Sequence, residues 1–82
     1  MIDQLLGNEA FKEYLVSIGF EHIGSAWWMN EDNTIRIRVW KDRQVDIWLW
    51  RNNVDQSANE IRYRGEIWNF EDVKWILDRC FN

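Results

Sequence analysis

Two segments near the middle of the chain alternate between aliphatic and other residues with the two-residue period of a half-buried β-strand. The first segment runs Ile35, Arg36, Ile37, Arg38, Val39, Trp40, and the second runs Val45, Asp46, Ile47, Trp48, Leu49, Trp50. Successive side chains of a strand point to opposite faces of a sheet, so each segment has one Ile/Val/Leu face and one face of charged and indole side chains. The alternation predicts two antiparallel strands joined by a hairpin.

The pairing of these two strands follows from parity, because cross-strand partners must lie on the same face of the sheet. The connecting loop must therefore contain an odd number of residues. A three-residue turn at 41–43 pairs Val39 with Val45 and Arg38 with Asp46, and shifting the loop by one residue gives a second allowed register. In either register, arginines lie opposite acidic or indole side chains.

Amphipathic helices are predicted on both sides of the strands. The first spans residues 8–18, with Asn8 as its N-cap and Gly19 as the left-handed residue that ends it. The second follows a cap at Asn69, with Asp72 completing a weak capping-box pattern. Its apolar stripe consists of Phe70, Val73, Ile76, Leu77, Cys80 and Phe81.

Two further segments predict the remaining strands. Residues 20–29 are aromatic and β-branched and predict one strand with a bulge or bend at Gly24 and Ser25. Residues 61–64 alternate like the central segments and predict a fourth strand that ends at Gly65. The expected fold class is α+β, with the order helix, four-stranded antiparallel meander, helix (αββββα), and with both helices on the Ile/Val/Leu face of the sheet.

Length and composition limit the class of protein. A chain of 82 residues predicts a single domain over residues 1–82, and 46% hydrophobic content is far from a disordered composition. No apolar run is long enough to span a membrane. Cys80 is the only cysteine and cannot form an internal disulfide, and no secretory signal is expected, so a reducing cytoplasm is the expected compartment.

The charge is unevenly distributed along the chain. The net charge of −4 disfavours nucleic acid and anionic membranes as partners. Residues 34–51, however, contain five basic and two acidic side chains, so the centre of an acidic protein is basic.

If both helices cover the aliphatic face, the opposite face of the sheet becomes the candidate binding site. We call this opposite side the Arg/Trp face, and it is predicted to carry Arg36, Arg38, Trp40, Trp48, Trp50, Arg62 and Arg64. Aromatic patches on small soluble domains mark interaction surfaces, and Trp and Arg are enriched at interface hot spots. The pattern predicts a non-catalytic domain that binds protein through this face. The partner is a second copy in a homodimer or another protein, and an inhibitor that acts by occlusion is one form of this function.

Three alternatives compete with that interpretation. Arginines interleaved with aromatic side chains on a sheet also bind single-stranded nucleic acid, although the low net charge and the scarcity of lysine weigh against it. The guanidinium groups can instead stack on the indoles of the same sheet and only stiffen the domain. The tryptophans are simply core if one helix crosses to their side of the sheet.

Catalytic and metal chemistry have little support in the sequence. His22 is the only histidine, so a zinc site or a catalytic triad would depend on it alone. Cys80 lies on the apolar stripe of the last helix, where a buried, unreactive thiol is expected. No glycine-rich phosphate loop or nucleophile elbow is present among four glycines. Neither an enzyme nor a cofactor or metal is expected.

Overall fold

The sheet has five strands, one more than the sequence pattern predicts. The structure is a computed structural model, and it describes residues 4–51 and 54–81. In chain order the elements are α1 (Glu9–Ser17), β1 (Phe20–Gly24), β2 (Trp27–Asn30), β3 (Ile35–Val39), β4 (Gln44–Leu49), a short 3-10 helix (Gln56–Ala58), β5 (Glu60–Glu66) and α2 (Glu71–Phe81). The strands lie in the order β1-β2-β3-β4-β5 and are antiparallel, so the α+β class and the meander are confirmed.

The additional strand arises because the segment predicted as a single strand over 20–29 is a hairpin. Gly24 pairs with Trp27, which leaves Ser25 and Ala26 as the connecting residues. Gly24 has a φ of 140° and Ser25 a φ of 49°, and two consecutive residues with positive φ reverse the chain instead of bending it. The His22 ring also hydrogen-bonds through Nε2 to the Ser25 carbonyl oxygen at 2.7 Å.

The central hairpin has the first of the two registers that parity allows. Val39 pairs with Val45 and Arg38 pairs with Asp46. The Trp40 backbone N–H donates to the Gln44 carbonyl at 2.8 Å and closes a three-residue loop over 41–43. The loop is tight because Asp42 adopts a left-handed conformation, with a φ of 61°.

The first helix begins and ends as predicted, whereas the second begins later than expected. The Asn8 side chain accepts a hydrogen bond from the Phe11 N–H at 3.0 Å, which satisfies an unpaired donor of the first turn of α1. Gly19 follows this helix with a φ of 97°. α2 begins at Glu71, after a turn in which the Asn69 carbonyl accepts from the Asp72 N–H at 3.1 Å.

One hydrophobic core lies between the helices and the aliphatic face of the sheet. It consists of Leu5, Phe11, Leu15, Phe20, Trp28, Ile37, Val39, Val45, Ile47, Ile67, Val73 and Ile76. Both helices contribute to this single cluster, so they cover the same face, as predicted. Burial of each large side chain contributes about 1.5–3 kcal/mol. Neither helix of the described chain has the length and apolar composition needed to cross a membrane.

Candidate functional site

Six of the seven residues predicted on the Arg/Trp face lie together on the side of the sheet opposite the helices. Cross-strand pairing places Arg36 beside Trp48, and Arg38 and Arg64 on either side of Asp46. Trp40 and Trp50 follow directly after β3 and β4 and contact the same group of side chains. Arg62 lies elsewhere.

A buried carboxylate organises this face. Asp46 is completely buried at the centre of β4, and its two oxygens accept hydrogen bonds from three side chains. The guanidinium of Arg38 donates to Oδ2 at 3.0 Å, the indole Nε1 of Trp40 donates to Oδ2 at 2.9 Å, and Nε of Arg64 donates to Oδ1 at 2.8 Å. We call these four residues the Asp46 cluster. It joins three neighbouring strands through one charged group.

The cluster keeps Asp46 ionised although the carboxylate is buried. Burial alone would raise the pKa of the Asp46 carboxyl, because a charge is costly where water is excluded. The hydrogen bonds from Arg64, Trp40 and Arg38, together with the charge of Arg64, outweigh that effect and hold its pKa below the usual value. Asp46 therefore acts as a fixed negative charge that orients the basic and aromatic side chains around it.

Three indoles pack against one another at steep angles beside the cluster. The ring centres of Trp27 and Trp50 lie 5.7 Å apart, and those of Trp48 lie 6.0 Å from each of them. These tilted and T-shaped arrangements are the favoured geometry of aromatic pairs. Trp27 is one residue of this face that the sequence analysis missed. It pairs with Arg38 across the sheet, which becomes apparent only once the hairpin between β1 and β2 is recognised.

Guanidinium groups lie over several of these indole rings. The Arg36 guanidinium carbon is 4.2 Å from the ring centre of Trp50. The corresponding atom of Arg38 lies 4.2 Å from Trp40 and 5.0 Å from Trp27. Each such cation–π contact contributes about 0.5–1 kcal/mol where it is exposed. These are the contacts expected if the arginines stack on the indoles of the same sheet and stiffen the domain.

The face is nevertheless not closed to a partner. Trp50 is only 7% exposed, whereas Trp40 is 42% exposed and the Arg64 side chain is 62% exposed. One accessible part lies at the end of the face where Trp40 and Arg64 border a cavity of about 510 Å³. Trp50, predicted as a binding residue, is instead an internal support of the indole layer.

Two buried N–H donors of the face have no hydrogen-bond partner among the described residues. They are Nε1 of Trp48 and Nε of Arg38. A buried donor left unsatisfied costs about 1–3 kcal/mol. The hydrogen-bonding groups of the face are therefore not all satisfied within the described chain.

Arg62 is separated from the other predicted residues by a bulge in β5. Ile47 pairs with Tyr63 but Trp48 pairs with Ile61, so Arg62 is an extra residue between the two pairs. The bulge places Ile61 beside Trp48, contrary to the simple alternation predicted for this strand. Arg62 lies against the end of α2 and donates to the Cys80 carbonyl at 2.8 Å.

Other candidate chemistry is sparse in the parts of the chain that the structure describes. Within residues 4–51 and 54–81, no group of three or more His, Cys, Asp or Glu side chains has a geometry that could hold a metal ion. Cys80 is half-buried, and its thiol contacts the Arg62 carbonyl at 3.5 Å. No protein-family model, curated protein or solved structure matches this chain.

Proposed function

We propose that this protein is a non-catalytic interaction domain that binds a protein partner through the Arg/Trp face. One observation carries the proposal. The helices cover one side of the sheet, while the other side presents an ordered layer of indoles and arginines that ends in the exposed pair Trp40 and Arg64. Such side chains form the energetic centres of protein interfaces.

The strongest support for binding is that the side chains of this face are fixed in place before a partner binds. A flexible side chain that becomes ordered on association costs about 0.5–1.5 kcal/mol. Asp46 holds both Trp40 and Arg64 in place before any partner arrives, through hydrogen bonds of 2.9 and 2.8 Å. The Asp46 cluster therefore presents a preorganised aromatic and cationic surface, and part of the entropy loss on binding is avoided.

Self-association is tested with one pair of variants. Trp40 belongs to the Arg/Trp face, whereas Val16 is an exposed side chain on α1, 61% exposed, away from that face. For a homodimer, light scattering over a wide range of protein concentration is expected to show a mass that rises to twice the monomer. Trp40→Ala is expected to abolish the rise, and Val16→Ala is expected to leave it unchanged. A monomeric mass at every concentration excludes self-association.

A partner other than a second copy is tested by site-specific photocrosslinking. A photoreactive phenylalanine analogue is placed at position 40 or, as the control, at position 16 on the exposed face of α1. We expect a discrete protein adduct from position 40 that is lost when Arg64→Ala is introduced into the same protein. Monomeric protein that forms no adduct from position 40 in the cells that produce it contradicts the proposed function.

Single-stranded nucleic acid is less well supported as a partner. Strand-binding sheets stack bases on open aromatic rings. Here guanidinium groups lie over the rings of Trp40 and Trp50 at 4.2 Å. A base would have to displace an arginine from these faces or use only the exposed remainder of Trp40.

A further inference from the structure

The last strand of the sheet has the properties of a docking edge. β5 (Glu60–Glu66) is the longest of the five strands and pairs only with β4, so its outer side has no strand neighbour in the described chain. An edge strand presents unpaired backbone N–H and C=O groups, which an extended segment of another protein can pair with. The other edge strand, β1, has five residues, and each edge strand contains one register shift, at Gly24 in β1 and at Arg62 in β5.

A cavity lies on each face of the sheet beside this edge. The first, of about 510 Å³, is lined by Trp40, Gln44, Asp46, Arg64, Gly65 and Glu66. The second, of about 530 Å³, is lined by Tyr63, Glu66, Glu71, Asp72, Trp75 and Ile76. Tyr63 and Arg64 are consecutive strand residues, so their side chains point to opposite faces of the sheet. An added strand would therefore direct alternate side chains towards the two cavities.

The two cavities differ in charge. Glu66 lines both of them, and its carboxylate pairs with Arg43 at 3.7 Å. The first is also bordered by the exposed guanidinium of Arg64 and by the buried carboxylate of Asp46, which already accepts hydrogen bonds from three donors. The second contains the carboxylates of Glu71 and Asp72 at the start of α2. Burial raises the pKa of the Tyr63 phenol there, and the negative charges of Asp72 and Glu66 raise it further.

An exposed indole adds a cation-binding surface to the second cavity. Trp75 is 59% exposed, and the Arg79 guanidinium carbon already lies 4.8 Å from its ring centre. Indole faces attract ammonium and guanidinium groups. The cavity therefore combines carboxylates and an aromatic ring, which together suit a lysine or arginine side chain.

We propose that the β5 edge binds an extended segment of a partner protein as a sixth strand, and that acidic and basic residues alternate along this segment. The acidic side chain lies against Arg64 and Trp40, and the basic side chain lies in the cavity of Glu71, Asp72 and Trp75. This inference rests on the proposed function for its Trp40 and Arg64 half, because those residues belong to the Arg/Trp face.

A second copy of β5 is a poor occupant of the same edge. Antiparallel pairing of β5 with itself about Tyr63 places Glu60 opposite Glu66 and Arg62 opposite Arg64. Like charges directly opposite each other on paired strands are destabilising. The charge pattern of the strand therefore disfavours self-pairing in this register.

The test uses an octapeptide of strictly alternating glutamate and lysine, with both termini blocked, titrated into the full-length isotope-labelled protein. In an extended strand, all glutamates point to one face and all lysines to the other. We expect saturable NMR shifts in the β5 amides and in the indole N–H signals of Trp40 and Trp75. A peptide of the same composition with paired charges, Glu-Glu-Lys-Lys repeated, is expected to bind about tenfold more weakly, because half of its side chains meet a like charge.

Two methylated peptides distinguish strand addition from side-chain attraction. Backbone N-methylation is placed on the lysines alone in one peptide and on the glutamates alone in the other. Only one of these sets of N–H groups faces β5, so one peptide is expected to bind about tenfold more weakly and the other nearly as well as the parent. Equal affinity for all four peptides, or no saturable shift, overturns the inference.

Protein variants test whether the peptide binds at the β5 edge. Trp75→Ala is expected to weaken binding about threefold to fivefold through the lost cation–π contact. The matched control is Val16→Ala, at a side chain that is 61% exposed on α1. If position 40 yields a crosslinked partner but no peptide binds, the proposed function stands and the strand-addition mode is wrong. If the peptide binds while position 40 yields neither a dimer nor an adduct, the Arg/Trp face is not the interaction surface.

Discussion

The indole Nε1 of Trp40 donates a 2.9 Å hydrogen bond to Oδ2 of Asp46, so an exposed aromatic side chain is fixed by a completely buried carboxylate. The same oxygen accepts from Arg38, and the other oxygen accepts from Arg64. Stability and surface shape are therefore coupled at one residue. A change at Asp46 should alter both, whereas a change at Trp40 should alter mainly the surface.

Asp46→Asn is expected to lower the free energy of unfolding by about 2–3 kcal/mol. The amide keeps the volume of the carboxyl group but removes the charge that two guanidinium groups share, and hydrogen bonds to charged groups are the strong ones. Urea denaturation measures the difference. Asp32→Asn, at an exposed turn residue, is the matched control and should unfold at the wild-type urea concentration. Equal midpoints for the two variants would show that the cluster adds no stability.

The contribution of Asp46 should also depend on pH in a defined direction. The pKa of its carboxyl is lowered in the folded protein, so the unfolded chain binds a proton more readily. Its stabilising effect is therefore fully present above the ordinary carboxyl pKa, near pH 4, and is lost as the pH falls through the lower folded value. The difference in unfolding free energy between wild type and Asp46→Asn should be constant near neutral pH and shrink in acid. A difference that grows on acidification would contradict this sign.

The periodic parts of the fold are predictable from the sequence because they depend on only two rules. Alternation assigns the faces of β3 and β4, and parity limits their register to two choices, one of which pairs Arg38 with Asp46. The start of α1 is predictable for a similar reason, since Asn8 supplies an acceptor where the first turn needs one.

The parts that escape prediction depend on backbone conformations without a periodic signal. Ser25 adopts a left-handed φ, which serine rarely adopts. The sequence therefore predicts a bulge or bend before Trp27 where the structure has a hairpin. The bulge at Arg62 shifts one side chain from the Arg/Trp face to α2, and nothing in the alternation marks it. The burial of Trp50 depends on how its neighbours pack, which hydrophobic period alone does not specify.

Trp50→Ala is expected to destabilise the protein by about 3–5 kcal/mol, the range for removing a large buried aromatic side chain. Trp40→Ala should cost about 1–2 kcal/mol, because it removes one hydrogen bond to Asp46 from a side chain that is already 42% exposed. Thermal unfolding followed by circular dichroism compares the two proteins. Similar losses for both would mean that Trp50 does not support the indole layer.

Replacement by alanine should reduce mainly stability at Arg62 and mainly association at Arg64. Arg62 donates to the Cys80 carbonyl in the last turn of α2, so Arg62→Ala is expected to cost about 1 kcal/mol of stability and to leave association or crosslinking through Trp40 unchanged. Arg64 is the exposed cation of the Arg/Trp face, and Arg64→Ala should weaken that association. Urea denaturation measures the loss of stability, and the crosslinking yield at position 40 measures the loss of association. An equal loss of binding in both variants would show that Arg62 is also part of the interaction surface.

Titration with single-stranded DNA and RNA oligonucleotides at low salt should leave the tryptophan fluorescence unchanged. The seven indoles would report base stacking, but the ring of Trp50 is covered by Arg36 and one side of Trp40 by Arg38, and the chain carries a net charge of −4. Electrostatic binding to nucleic acid weakens steeply as salt is added, whereas a nonspecific change in fluorescence does not. Saturable quenching that salt reverses, and that Arg36→Ala and Arg38→Ala reduce, would contradict this expectation. It would show that the arginines leave the indole rings to bind phosphate, and the Arg/Trp face would then be a platform for a nucleic-acid strand.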